Sequence, residues 1–175
     1  GFESGVVLAD GARRLLDFDL PTALATVERQ RDWPYSSRAS SVLHFADPRA
    51  ATVGESRARV LLARLGVPKP DLQRPIIEGR TQRQIGIADL YVDQHSTAIE
   101  FDGKLKYGRE LYERTGELEV VDLGEVVWRE KRREDAIRDE GHEMVRLVWS
   151  ELDGQDGQVR ARLERAFARN RRRPA

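Results

Sequence analysis

Two stretches decide the fold: Ile85-Gly86-Ile87-Ala88-Asp89-Leu90-Tyr91-Val92 and Thr97-Ala98-Ile99-Glu100-Phe101-Asp102, joined by the turn-prone Asp93-Gln94-His95-Ser96. Alternate side chains of a strand share a face. The second stretch therefore sets Ile99 and Phe101 on one side and Glu100 and Asp102 on the other. The Cα atoms of those two acids are about 6.6 Å apart, two strand steps. In the first stretch Asp89 shares its face with Ile85, Ile87 and Tyr91, so it interrupts an otherwise apolar side. A carboxylate buried without a partner is costly. A hairpin closed at residues 93–96 brings Asp89 up to Glu100.

Working outward, residues 72–77 predict a strand before the hairpin. Thr52-Val53-Gly54-Glu55 fits a capping box, with Thr52 as cap and Glu55 three residues later. Ala58, Leu61, Leu62 and Leu65 follow at helical spacing, and Gly66, Pro68 and Pro70 stop the helix. Downstream, the Gly- and charge-rich residues 103–122 predict a long loop. Residues 125–140 predict a polar helix closed by Gly141, and residues 143–149 a strand. Val159, Leu163, Ala166 and Phe167 mark a final helix. The order helix–strand–strand–strand–helix–strand predicts an α/β chain with a mixed central sheet flanked by helices. Residues 1–51 read as a helical N-terminal segment, with helices over 9–16, 21–31 and 36–46. It carries no catalytic constellation and suits a cap or a link to another domain. Residues 52–175 form the main domain.

The chain has 175 residues with 39% hydrophobic residues, enough for a packed core at this length. Lys+Arg and Asp+Glu both number 30, so the net charge is zero and any nucleic-acid contact must come from a local basic patch. Cysteine is absent, which excludes disulfides, thiolate chemistry and Cys-based zinc sites and is compatible with a reducing cytoplasm. No apolar run approaches the roughly 20 residues that span a bilayer, so no membrane partner is expected. The chain starts at Gly1 and its only methionine is Met144, which suggests an excised fragment or a processed product and allows for an upstream domain.

Asp89 and Glu100 offer hard oxygen ligands with few others nearby, a set that suits Mg²⁺ or Mn²⁺. Glu55 could add a further oxygen from the helix packed on the sheet. A cation held there orients a phosphodiester and generates hydroxide. Each acid also has a structural reading. Glu55 reads as a capping-box acid, Asp89 as the partner of Arg83 or Arg146, and Glu100 with Asp102 as a solvated face. Arg129, Lys131 and Arg133 lie on a helix of mixed charge whose default is self-pairing, as in Lys131 with Asp135 and Glu134 with Arg138. The alternative is that one of these cations reaches the acidic pocket or a phosphate. Lys104, Lys106 and Arg109 around Tyr107 form a basic-aromatic mix that could follow a nucleic-acid backbone.

On these residues the span 55–152 resembles the PD-(D/E)XK nuclease superfamily, in particular the branch related to very-short-patch-repair endonucleases. Gly54-Glu55-Ser56-Arg57 matches the opening of the first helix, and Pro70 with Gln73 the approach to the first strand. Ile87-Ala88-Asp89-Leu90 matches the strand with the metal-binding aspartate. Ile99-Glu100-Phe101-Asp102-Gly103 matches the acidic strand. Lys131-Arg132-Arg133-Glu134-Asp135 and Gly141-His142-Glu143-Met144-Val145-Arg146 match the next helix and strand. The segment is similar to the C-terminal domain of actinobacterial antitoxin-like proteins of the AbiEi type, several of which carry an N-terminal winged helix.

The resemblance implies a restriction-endonuclease-like core and divalent-metal-dependent DNA cleavage. It makes Asp89 and Glu100 metal ligands, with Glu55 as a further metal or water-positioning acid. The superfamily has a lysine two residues after the strand acid, and here that position holds Asp102. Lys104, of the same strand parity, or Lys131 would take the lysine's part. A domain that has lost its activity, within an antitoxin or transcriptional regulator, is the alternative. One site makes one nick, so double-strand cleavage would require a homodimer or a second binding event.

Overall fold

The computed structural model describes residues 1–16, 18–103 and 123–171, with side chains not described at 123–127 and 171. Three helices, α1 (Phe2–Leu15), α2 (Leu20–Arg29) and α3 (Ser36–Phe45), precede α4 (Val53–Arg64). Strands β1 (Asp71–Ile77), β2 (Gln84–Val92) and β3 (Thr97–Asp102) follow. Then come α5 (Leu123–Asp139), β4 (Glu143–Val148) and α6 (Asp156–Arg171). The predicted order is observed, with boundaries moved by a residue or two. The largest change is in α1, which begins at Phe2, well before Ala9.

The sheet runs β1-β2-β3-β4. The first two pairings are antiparallel and β3–β4 is parallel, so the sheet is mixed. Its two faces are separated by strand parity. Leu72, Leu90, Val92, Ile99, Val145 and Leu147 pack under α4 and α6, against Leu61, Leu62, Val159 and Leu163. Tyr91, Ala98 and Met144 lie under α5, against Ile137. Phe101 joins the α4/α6 side, edge-on to Trp149 with ring centroids 4.9 Å apart. Gly54 at the start of α4 presses on the same ring: a Cβ there would lie 2.0 Å from a Phe101 ring carbon.

The helical segment 1–51 docks on α4. Val6, Ala9, Val42 and Ala46 form a small cluster with Val60. Beneath them Asp10 of α1 and Arg59 of α4 make an ion pair of 2.7 Å, with side chains 1% and 3% exposed. Asp10 Oδ1 accepts the Asp47 amide at 2.8 Å, and Arg59 Nη2 donates to the Phe45 carbonyl at 2.5 Å. No described helix is long and apolar enough to cross a membrane.

Candidate active site

The hairpin register pairs Leu90 with Ile99, Tyr91 with Ala98 and Val92 with Thr97. Continued one step, it sets Asp89 opposite Glu100, on the face toward α5. The ladder ends there, because the Phe101 amide donates to Asp89 Oδ2 at 2.9 Å. A side chain thus takes a donor that a regular antiparallel pair would share between backbones. The two carboxylates come to adjacent places on neighbouring strands, as the hairpin reading requires.

They line a cleft of about 760 Å³ between the sheet and α5. Asp102, Arg129, Glu130, Lys131, Arg133, Glu134 and Arg146 complete its described walls with Ile87 and Phe101. Four predicted site residues therefore meet in one place: Asp89, Glu100, Asp102 and Lys131. Lys104, Lys106, Tyr107 and Arg109 lie outside the described residues.

Burial raises the proton affinity of the Asp89 carboxyl, and the nearby Glu55 charge adds to this against the Phe101 hydrogen bond. Burial likewise raises Glu100, with Glu130 and Asp89 adding like charge, although the Arg133 contact acts the other way. Both acids thus hold their charge under stress. Perturbed acids in a cleft mark candidate sites.

Glu100 is not left alone. Arg133 Nη2 donates to Glu100 Oε1 at 2.6 Å, and Arg146 Nε stands 3.7 Å from Oε2. Arg133 also bonds Glu130, and Arg146 pairs with Glu130 and Glu134. This α5 network corrects two expectations. Asp89 pairs with neither Arg83 nor Arg146: its bond is to the Phe101 amide. Lys131 makes no ion pair with Asp135; it faces the cleft, while the Glu134–Arg138 pair forms as expected. The Asp89 face is also less apolar than its sequence suggests, since Ile87 is exposed at the cleft. Arg133, one of three cations considered on α5, is the one that reaches Glu100. The part played by Glu130 was not legible, since its spacing served equally for a solvated helix face.

Glu55 lies apart from the cleft walls. Its carboxylate accepts from the Ala51 amide at 2.8 Å, Thr52 Oγ1 at 2.9 Å and Gln73 Nε2 at 2.9 Å. Its own amide donates to Thr52 Oγ1 at 3.1 Å, so Thr52 caps α4 as expected. Gln73 reaches it from β1 with φ of 52°, a left-handed backbone that a non-glycine residue adopts at a cost. Glu55 is thus the helix-capping acid of its structural reading, outside the cleft walls, with a charge that acts on Asp89.

Among the described residues no group of three or more acidic or imidazole side chains converges closely enough to hold a metal ion. Asp89 and Glu100 are the two acids that meet across the hairpin. Comparison with known proteins returned no matching family model, no matching curated protein and no matching solved structure.

Proposed function

We propose that this cleft binds Mg²⁺ or Mn²⁺ through Asp89 and Glu100 and hydrolyses phosphodiester bonds of DNA, on a restriction-endonuclease-like core. One observation carries the reading: two half-buried carboxylates of raised proton affinity meet across a hairpin in a cleft that also holds Lys131. The residues fit a hard cation. Asp89 Oδ1 has no partner among the described residues, and burial raises the proton affinity of both acids. Two carboxylates suit an ion that keeps several waters, as Mg²⁺ does.

When bound, such an ion supplies Lewis acidity and a water of lowered pKa. The chain's own residues do the rest. The Phe101 amide fixes the Asp89 carboxylate. Glu55 contributes negative field from behind. Lys131, on α5, takes the place of the superfamily lysine and orients the attacking water or a phosphate oxygen. Asp102, at that lysine's usual position, adds a further carboxylate to the wall.

Asp89→Ala and Glu100→Ala should each reduce Mn²⁺-supported plasmid nicking by more than about 100-fold, the upper range for loss of an outer-shell partner. Robust cleavage by either variant would sink the assignment.

A second reading has its own support. Arg133 already neutralises Glu100, and no third acid completes the pair among the described residues. A silent nuclease-like domain of an antitoxin or regulator would look like this. A folded chain that binds no Mn²⁺ by titration would favour it.

A further inference from the structure

We infer that Arg133 is an exchangeable counter-ion: it holds Glu100 when no metal is bound, and turns to a phosphate of the nucleic acid once a divalent cation takes that carboxylate. The inference rests on the metal-site reading above and adds a phosphate-binding residue to it.

The geometry of the pair points this way. Arg133 grips Glu130 with two nitrogens, Nε at 3.1 Å and Nη2 at 2.8 Å, but reaches Glu100 with Nη2 alone. Two other pairs in the chain use two prongs on one acid, whereas Arg59 reaches Asp10 through Nη1 alone. Arg162 holds Glu151 through Nη1 at 2.7 Å and Nη2 at 2.9 Å, and Arg64 holds Asp156 through Nε at 2.8 Å and Nη2 at 2.7 Å. A two-pronged grip is the stronger and more specific arrangement. At the cleft that grip goes to Glu130, on the same helix, so the link to Glu100 can be given up while the side chain stays anchored.

Arg133 lines the cleft and passes over Gly86 of β2, where a Cβ would lie 3.2 Å from Nη1, so the absence of a side chain there lets the guanidinium lie against the strand. Nη1 has no acceptor among the described residues, which leaves donors for a phosphate oxygen. A guanidinium and a divalent cation on one carboxylate repel each other. Metal entry therefore favours release from Glu100, and the freed Nη2 donor with Nη1 beside it can meet the oxygens of a phosphodiester while Glu130 keeps the side chain anchored.

The test is calorimetric titration of the whole chain with MnCl₂, without nucleic acid, for the wild type, Arg133→Met and Arg133→Lys. Methionine keeps much of the apolar stem and removes the competing charge. The expected result is tighter Mn²⁺ binding by Arg133→Met, on the order of tenfold, with Arg133→Lys between it and the wild type. If Arg133→Met does not fold, Arg133→Lys decides, and tightening of any reproducible size supports exchange. Unchanged or weaker binding, with Asp89→Ala abolishing it, overturns exchange and leaves the metal site standing. No Mn²⁺ bound by the wild type or by either Arg133 variant overturns both. The phosphate half is read by fluorescence anisotropy of a short DNA duplex with Ca²⁺ in place of Mn²⁺. Calcium should tighten duplex binding by the wild type and do so less for Arg133→Met. An equal response would remove the phosphate contact from the proposal.

Discussion

Two acid–arginine pairs in this chain have the same chemistry and opposite character. Asp10 and Arg59 are 1% and 3% exposed, and each has a second partner, the Asp47 amide and the Phe45 carbonyl. Glu100 and Arg133 are 13% and 26% exposed, in a cleft shared with Asp89, Glu130 and Arg146. The first pair is closed: its main charges are answered by fixed groups. The second is open, with one carboxylate pressed by like charge and an arginine held mainly by another acid. Burial with complete partners builds a joint between helices. Burial with incomplete partners leaves room for a ligand.

The sharpest way to break the comparison is to cut each pair. Asp10→Ala leaves the Arg59 guanidinium buried and the Asp47 amide without its acceptor. Loss of one partner from a buried pair costs about 3–5 kcal/mol. Urea denaturation should show that loss, with or without Mn²⁺ present. Glu100→Gln should cost far less, because Arg133 keeps Glu130. Equal losses at both positions would erase the distinction between a joint and a site.

Helix α4 connects the two regions, since it carries Arg59 of the closed pair and Glu55 behind the open one. Its approach to the sheet is set at Gly54, where only a hydrogen fits over the Phe101 ring. Gly54→Ala should force the helix or the ring aside, at about 1–3 kcal/mol for overpacking. Phe101 also supplies the amide that holds Asp89, so the same variant should weaken Mn²⁺ binding. Asp10→Ala, remote from that contact, should leave the affinity of the folded fraction unchanged. Thermal unfolding and titration of both variants separate these effects.

Much of this was legible in the sequence because period and punctuation agreed. The alternation in residues 97–102 fixed which face Glu100 takes, and Asp93-Gln94-His95-Ser96 closed the hairpin that sets Asp89 against it. Thr52 and Glu55 announced the start of α4. The partners of the acids were not legible. Arg133 is 33 residues from Glu100, and its choice over Arg129 depends on how α5 lies across the sheet. The Asp10–Arg59 pair spans 49 residues with no local signature, because nothing near Asp10 marks it as buried. Gln73, with its left-handed backbone, looks like an ordinary strand residue until its bond to Glu55 is seen.

The smallest predicted effect sharpens the comparison most, because it has a sign. Burial holds the proton affinity of Asp89 above that of the same carboxyl in the unfolded chain. The folded state therefore gains from the bound proton. That gain is complete below the unfolded pKa of about 3.9 and is lost as pH rises through the higher folded value. Asp89→Asn removes the titration and keeps an oxygen to accept the Phe101 amide. The variant should match the wild type near pH 4 and melt higher at pH 8, each kcal/mol of difference being read as about 2–4 °C in a chain of this size. Mn²⁺ should reverse the order at pH 8, because only the wild type keeps both carboxylate ligands, and a ligand that binds the folded state alone raises its melting temperature. A gap of the opposite sign without metal would mean that the Asp89 charge is satisfied within the fold, as the Asp10 charge is. The cleft would then be a second joint.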